Sequence, residues 1–250
     1  MIRNYFLNGF SLANRILDIY FISLLLTLIA FIPSFLGQSI VGKISQFVTI
    51  PLFLIQFSFW MSIPLFLVDK QQNRATNYRN LSIVVLHNAK RLIIPGIILS
   101  ILFGILALLV LLIAALNVAK TGSDPSQITT AIQNLIQKLL RWNPIMISLT
   151  GLFSLFVFTS IYFSLENRGF FGSAKRSVIF SFKNLNFVLI IFLIHAIFYS
   201  LSSLFPPTFK IPISVQGDLG LLIIVVLSQY MSFIIIASAL LYYKNRTKEI

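Results

Sequence analysis

Three polar side chains lie inside long apolar stretches of this chain, and they are its strongest candidates for chemistry. They are Gln56, His195 and Gln229. A polar group in hydrocarbon costs free energy unless it is hydrogen-bonded, and an ionisable side chain within a membrane span is a candidate functional group. Two interpretations stay open. The three side chains line a shared polar cavity at mid-membrane depth, or each makes its own hydrogen bond to a neighbouring helix.

The remaining chemical inventory is poor. The chain has no cysteine, only 6 Asp and Glu residues, and 2 histidines. A thiolate nucleophile or metal ligand is therefore excluded. None of the acidic residues falls in the middle of an apolar stretch, where a pair of carboxylates would serve as general acid and base. We therefore expect a protein that is not an enzyme, with no catalytic residue, no metal and no cofactor.

The composition decides what kind of protein must position these side chains. Apolar residues make up 58% of the chain, charged residues 10%, and the mean hydropathy is +0.93. Soluble proteins carry about 25% charged residues, and disordered chains combine low hydrophobicity with high net charge. Both classes are excluded. The sequence is typical of an integral membrane protein.

Six stretches are long and apolar enough to cross a bilayer, which takes about 20 residues of helix. They run over residues 16–36, 47–68, 92–116, 144–165, 187–205 and 219–243. These stretches do not show the alternating polarity of the strands of a membrane barrel. The sequence predicts an all-α, polytopic membrane protein, with residues 1–250 forming one domain of six transmembrane helices and short basic interfacial helices.

The basic residues predict the orientation, because short cytoplasmic loops are enriched in Lys and Arg. Fourteen of the 19 Lys and Arg residues fall at the two termini and in the second and fourth loops between spans. We therefore expect both termini in the cytoplasm, at a bacterial cytoplasmic (inner) membrane. The net charge of +13 then favours anionic lipid over nucleic acid as the partner. The expected headgroup contacts are Arg74, Arg79, Lys90 and Arg91.

Several connections have the pattern of amphipathic helices. The pattern of residues 125–141 predicts an amphipathic helix on the extracytoplasmic side, followed by Trp142 as an interfacial anchor. Basic amphipathic segments also precede the first, third and fifth spans. Each contains the tripeptide Ala-x-Arg, beginning at Ala13, Ala89 and Ala174, so a threefold repeat of interfacial helix plus hairpin is one interpretation.

The fourth loop carries the most specific motif. Glu166 closes the fourth span, Gly169 follows three residues later, and Ala174, Arg176 and Ser177 lead into an amphipathic segment. Glu166 lies within reach of Arg168, and of Arg176 if the segment folds back. Such an ion pair would hold the interfacial helix against the end of the span. The alternative is a docking site for a soluble partner.

This motif and the six-span plan resemble bacterial membrane proteins of the glycerophosphoryl diester phosphodiesterase membrane-domain type. The local likeness covers about twenty residues, and the general plan covers most of the chain. The resemblance implies a fold and no activity. In fused members of that family the phosphodiesterase is a separate soluble domain, and no such domain fits in these 250 residues.

Two functions follow as expectations. The first is a non-enzymatic multi-pass membrane protein that interacts with anionic lipids or serves as the scaffold of a membrane complex with a membrane or soluble protein partner. The alternative is a transporter or permease subunit that works with a separate soluble ATPase. An intramembrane lipid-modifying enzyme is a third class, and the shortage of acidic residues argues against it.

Overall fold

The computed structural model describes residues 2–35, 40–72, 78–120, 143–203 and 215–248, and these are helical with short turns and contain no strand. The predicted helix at 125–141 lies outside the described residues, as do Trp142 and Arg74. The helices are α1 Ile2–Asn14, α2 Leu17–Phe35, α3 Ile40–Gln71, α4 Tyr78–Lys120, α5 Asn143–Ser154, α6 Thr159–Leu165, α7 Phe170–Lys183, α8 Leu185–Ser203 and α9 Val215–Lys248.

Three to five of the described helices, or bent pairs of helices, are long and apolar enough to cross a membrane. Pro51–Gln71, Asn80–Leu102 and Val226–Thr247 qualify as single helices. Ile2–Asn14 with Leu17–Ile29, and Phe170–Lys183 with Leu185–Phe198, qualify only as pairs, bent by 77° and 105°. The protein is therefore an all-α, multi-pass membrane protein.

The predicted fourth span, 144–165, is not one continuous helix. α5 ends at Ser154 and α6 begins at Thr159, and the residues between them form turns. Leu149–Leu165 is apolar but shorter than a full span. Periodicity alone does not predict this break, because the residues around it are as apolar as those on either side.

The segments that precede the odd-numbered spans differ from one another. α1 and α7 end in bends, whereas the residues before the third span continue without interruption into α4. Ala13 therefore lies beside a bend, Ala89 within a continuous helix, and Ala174 near the start of α7. The three tripeptides do not occupy equivalent places in the fold.

The bend between α7 and α8 is held by Asn184. Its side-chain amide donates to the carbonyl oxygen of Phe180 at 2.8 Å, and its Oδ1 accepts from the Tyr242 hydroxyl at 2.8 Å. The last carbonyl groups of a helix need such partners because no further helical turn supplies donors for them. Asn184 thus ends α7 and ties the bend to α9.

Among the described residues, the core lies where α1, α2, α3 and α6 pack against α9 and the beginning of α8, and α1 crosses α9 at its edge. Gly9 makes this crossing close, since a Cβ there would lie 2.1 Å from Ser238 Oγ and 2.9 Å from the Ser238 backbone nitrogen. Beside the crossing, the rings of Phe187 and Tyr242 stack at 4.3 Å, and Phe6 stacks on Phe187 at 5.5 Å. By contrast, α4 leaves a long row of Ile and Leu side chains exposed, as expected of a lipid-facing helix.

Candidate functional site

Two of the three intramembrane candidates meet at a residue that the sequence did not single out, Thr27 of α2. Gln56 of α3 donates from Nε2 to Thr27 Oγ1 at 2.6 Å, and Gln229 of α9 donates to the same oxygen. Thr27 in turn donates its hydroxyl proton to the carbonyl oxygen of Ser23 at 3.0 Å. A hydroxyl has one proton and two lone pairs. All three are used here, and the cluster joins three helices.

We call Thr27, Gln56 and Gln229 the Thr27 cluster. Two polar atoms of described residues in or near this cluster lack a hydrogen-bond partner. Gln229 Oε1 and Ser23 Oγ are buried and have no hydrogen-bond partner. Buried polar atoms of this kind reduce the net stabilisation that the hydrogen bonds supply. The Thr27 cluster therefore links α2, α3 and α9 without satisfying every polar atom around it.

His195 has a different environment. Its Nδ1 lies 3.4 Å from the hydroxyl of Ser154, at the end of α5. The ring also lines a groove of about 330 Å³, which we call the His195 groove. Among the described residues, its lining comes from α3, the α5–α6 break, α8 and α9, and neither Gln56 nor Gln229 contributes to it. The structure thus brings the two glutamines together and places the histidine elsewhere.

The His195 groove is mainly apolar, with a small polar region. Trp60, Met61, Phe153 and Phe156 are among its apolar residues. Its polar lining comprises Thr159, Ser160, Ser232 and His195. Thr159 is 4% exposed, and its hydroxyl has no hydrogen-bond partner. An apolar groove with a few polar groups is the usual form of a small-molecule site.

The break that shapes this groove is held open from α7. Ser177 and Ser181 both donate to the carbonyl oxygen of Leu155, at 2.9 and 2.8 Å, and the Phe158 amide donates to Ser177 Oγ at 3.1 Å. These bonds replace those that a continuous helix would have made. The motif residue Ser177 is therefore fully buried and supports the break.

The motif residue Glu166 forms the ion pairs that the sequence suggested. Its Oε2 accepts from Arg168 Nε at 2.5 Å and from Arg176 Nη1 at 3.3 Å, and its Oε1 accepts from the Tyr243 hydroxyl at 2.6 Å. Burial raises the pKa of Glu166. The hydrogen bonds from Tyr243 and Arg168 and the positive charges of both arginines outweigh that effect and hold the pKa below its ordinary value.

The tight turn after α6 does not depend on the motif glycine. The residue in the left-handed region is Asn167, with φ of 50°, whereas Gly169 has φ of −62° and precedes the first residue of α7. Asparagine tolerates this conformation better than most side chains do. A Cβ at Gly169 would meet no atom within 4 Å. Ala174, the remaining motif residue, is half-buried in α7.

Of the four expected headgroup contacts, Arg91 points into the protein. Its guanidinium donates to Asn88 Oδ1 at 3.1 Å, to the Phe163 carbonyl at 3.2 Å and to the Arg168 carbonyl, and it lies 4.0 Å above the Phe163 ring. Arg91 therefore secures the end of α6 and the turn after it. Lys90 is exposed, and the Arg79 side chain and Arg74 lie outside what the structure describes.

Sequence reasoning missed Thr27, Thr159 and two of the three buried serines of α7, Ser173 and Ser181. Thr27 carries a weak signal, because Ser and Thr in apolar helices commonly hydrogen-bond between helices or back to the preceding turn. The α7 serines carry a stronger one: Ser173, Ser177 and Ser181 recur every four residues and so share one face of a helix. Comparison with protein-family models, curated proteins and solved structures found no match for this chain.

Proposed function

We propose that this protein is a non-enzymatic, lipid-interacting protein of a bacterial cytoplasmic membrane, with six spans and both termini in the cytoplasm. Its short basic helices would lie at the inner membrane surface and bind anionic headgroups. The resemblance of residues 166–184 to the membrane domains named above belongs to this proposal, since it implies a membrane fold and no activity.

The observation that carries the proposal is the orientation of α7. Its buried face is a row of serines, Ser173, Ser177 and Ser181. Its exposed side carries Phe171, Ile179 and Phe182, which are 47%, 48% and 59% exposed. A helix in water would bury its aromatic side chains and expose its serines.

Exposed lysines accompany these apolar side chains on α7. Lys175 and Lys183 lie on the exposed side of the helix, which meets α8 at 105°. A helix that crosses the direction of a span and exposes both apolar and basic side chains suits the boundary between acyl chains and headgroups. Together with Lys90, these lysines replace Arg91 in the proposed headgroup surface.

Lipid retention tests this proposal. We expect the double substitution Lys175→Gln with Lys183→Gln to weaken anionic-lipid binding, by up to about fivefold per residue at low salt, since each surface cation contributes about 1 kcal/mol. Native mass spectrometry of protein purified from mixed phosphatidylglycerol and phosphatidylethanolamine vesicles measures the retained lipids.

The matched control removes two cations from the predicted opposite side. Lys138→Gln with Arg141→Gln changes the net charge equally but should leave retention near that of the unsubstituted protein. Equal loss in both double variants would show that total charge matters and that α7 does not. Unchanged retention in the α7 variant would overturn the proposed headgroup surface.

Topology is tested separately. A reporter that is active only outside the cytoplasm should be silent when fused after Ile250 and active when inserted within residues 121–126, because the basic residues favour cytoplasmic termini. The reverse pattern would overturn the proposed orientation.

A further inference from the structure

The partners of Ser154 indicate which nitrogen of His195 carries the proton. Ser154 donates its hydroxyl proton to the carbonyl oxygen of Thr150 at 2.9 Å. The same oxygen therefore accepts in its 3.4 Å contact with His195 Nδ1, and Nδ1 must carry the proton. This assignment of the tautomer follows from the partners, as it must where hydrogens are not seen. In a neutral imidazole, Nε2 is then an acceptor.

The position of His195 favours the neutral ring. His195 is ten residues beyond Leu185, the first residue of α8, which is about 15 Å along a helix axis. With α7 at the boundary between acyl chains and headgroups, as proposed above, this depth is near the middle of a hydrocarbon core about 30 Å thick. A charge at that depth is expensive.

Thr159 supplies the second group. Thr159 also lines this groove and is 96% buried, and its hydroxyl has no hydrogen-bond partner. A buried hydroxyl without a partner costs free energy that a bound polar group would recover. Two residues that line the groove thus carry an imidazole acceptor and an unpaired hydroxyl.

The rest of the lining restricts what the ligand is. None of the described residues that line the groove is charged, and its larger side chains are Trp60, Met61, Phe153 and Phe156. A phosphate or carboxylate would have no cationic partner there. A ketone or ester would only accept hydrogen bonds, and so would leave His195 Nε2 unpaired.

We propose that the His195 groove binds the hydroxyl end of an uncharged long-chain alcohol lipid. The ligand hydroxyl donates to His195 Nε2 and accepts from Thr159, and its hydrocarbon chain lies along the aromatic lining. This inference rests on the proposed function as a lipid-interacting protein, but it concerns a neutral lipid at a site away from the basic helices. Diacylglycerols and isoprenoid alcohols share the required chemistry.

Tryptophan fluorescence tests the proposal with the full chain in nanodiscs. The protein has two tryptophans, Trp60 and Trp142, so Trp142→Phe leaves only the groove tryptophan as a reporter. The probe is a diacylglycerol with brominated acyl chains, added at low mole fraction, since bromine quenches a neighbouring indole. Its O-methyl ether, which lacks the donor proton, and a phosphatidylcholine with the same chains are the comparison lipids.

We expect saturable quenching by the brominated alcohol and much weaker quenching by the ether and the phosphatidylcholine. Thr159→Val, which removes the hydroxyl and keeps the shape, should raise the half-saturating mole fraction about threefold to tenfold, the effect of one intramembrane hydrogen bond. Thr159→Ser should restore binding. Ser164→Ala, which removes a hydroxyl from the same helix outside the described lining, should have no effect.

Unlabelled dioleoylglycerol and an unlabelled C20 isoprenoid alcohol then compete with the probe. Stronger competition by either one identifies the source of the hydroxyl, and competition by neither overturns the proposal. Equal quenching by alcohol, ether and phosphatidylcholine would also overturn it, since the groove would then hold any acyl chain. Native mass spectrometry of wild-type protein loaded with dioleoylglycerol tests binding again without the Trp142→Phe substitution. Anionic-lipid retention is read in a separate measurement, so either proposal can fail alone.

Discussion

The Thr27 cluster and the His195 groove contain the same class of intramembrane polar residue, but they use it in opposite ways. At Thr27, two amide donors converge on one hydroxyl that has no capacity left. At His195, the described contact is one long hydrogen bond to Ser154, and the groove that His195 lines is also lined by Thr159, whose hydroxyl has no partner. The first arrangement holds helices together, and the second leaves hydrogen-bonding capacity for something else.

The difference arises from the backbone around each site. α2, α3 and α9 are continuous at Thr27, Gln56 and Gln229, so side chains from three helices can approach one another. Beside His195, α5 stops and α6 starts again, and the break opens space between helices. Continuous neighbours favour a closed polar cluster, whereas an interrupted neighbour favours a groove.

Removing the shared hydroxyl should have the largest effect on stability. Thr27→Val leaves the amides of Gln56 and Gln229 without their acceptor, and we expect it to lower the free energy of unfolding by about 2 kcal/mol. Unfolding in mixed micelles with increasing dodecyl sulfate measures this. Thr27→Ser keeps the hydroxyl and should lose much less; equal losses in the two variants would show that the methyl group matters and that the hydrogen bonds do not.

The charged cluster at Glu166 should make stability depend on pH in the acid range. Because its pKa is lowered in the folded protein, Glu166 contributes stability that is complete above the unfolded value of about 4.3 and is lost as the pH falls through the lowered folded pKa. Glu166→Gln should cost about 1 kcal/mol at neutral pH and flatten the acid side of the stability profile.

Arg176→Gln is the matched partner variant for this measurement. It removes one of the two cations from the cluster and should reduce the steepness of the acid limb without abolishing it. Identical acid profiles for wild type and Glu166→Gln would mean that other groups control the acid response.

His195→Leu should have a small effect on the fold. We expect a change of about 1 kcal/mol or less, in either direction, because one long hydrogen bond is exchanged for better apolar contact. Binding of the alcohol lipid should nevertheless be lost. A loss of stability as large as that of Thr27→Val would remove the contrast between the two sites.

Double-mutant cycles give the smallest and most discriminating signal. Gln56→Leu and Gln229→Leu should couple by about 0.5 kcal/mol or more, because they share Thr27. Gln56→Leu and His195→Leu should be additive within about 0.5 kcal/mol. The unfolding free energies of the single and double variants measure both coupling energies. Strong coupling between Gln56 and His195 would favour the interpretation that the two glutamines and the histidine share one polar cavity.

Composition and periodicity were sufficient to predict several features. The 58% apolar content required a membrane protein, and the helical, multi-pass architecture agrees with that expectation. The spacing of Glu166, Arg168 and Arg176 also predicted their ion pairs, since such contacts depend mostly on neighbours within one turn or one loop. These features depend on local sequence and on the cost of placing polar groups in hydrocarbon.

Other features were decided only when the helices packed together. Nothing local to Gln56 and Gln229 specifies that both should meet Thr27, which is 29 and 202 residues away. The break beside His195 depends on Ser177 and Ser181 of another helix, which satisfy the carbonyl oxygen that the break leaves free. Arg91 follows the same rule, because its guanidinium pairs with carbonyl groups in α6 and in the turn after it, 72 and 77 residues away. In a bilayer a polar atom without a partner costs free energy, and tertiary structure alone determines which distant residue can pair with it.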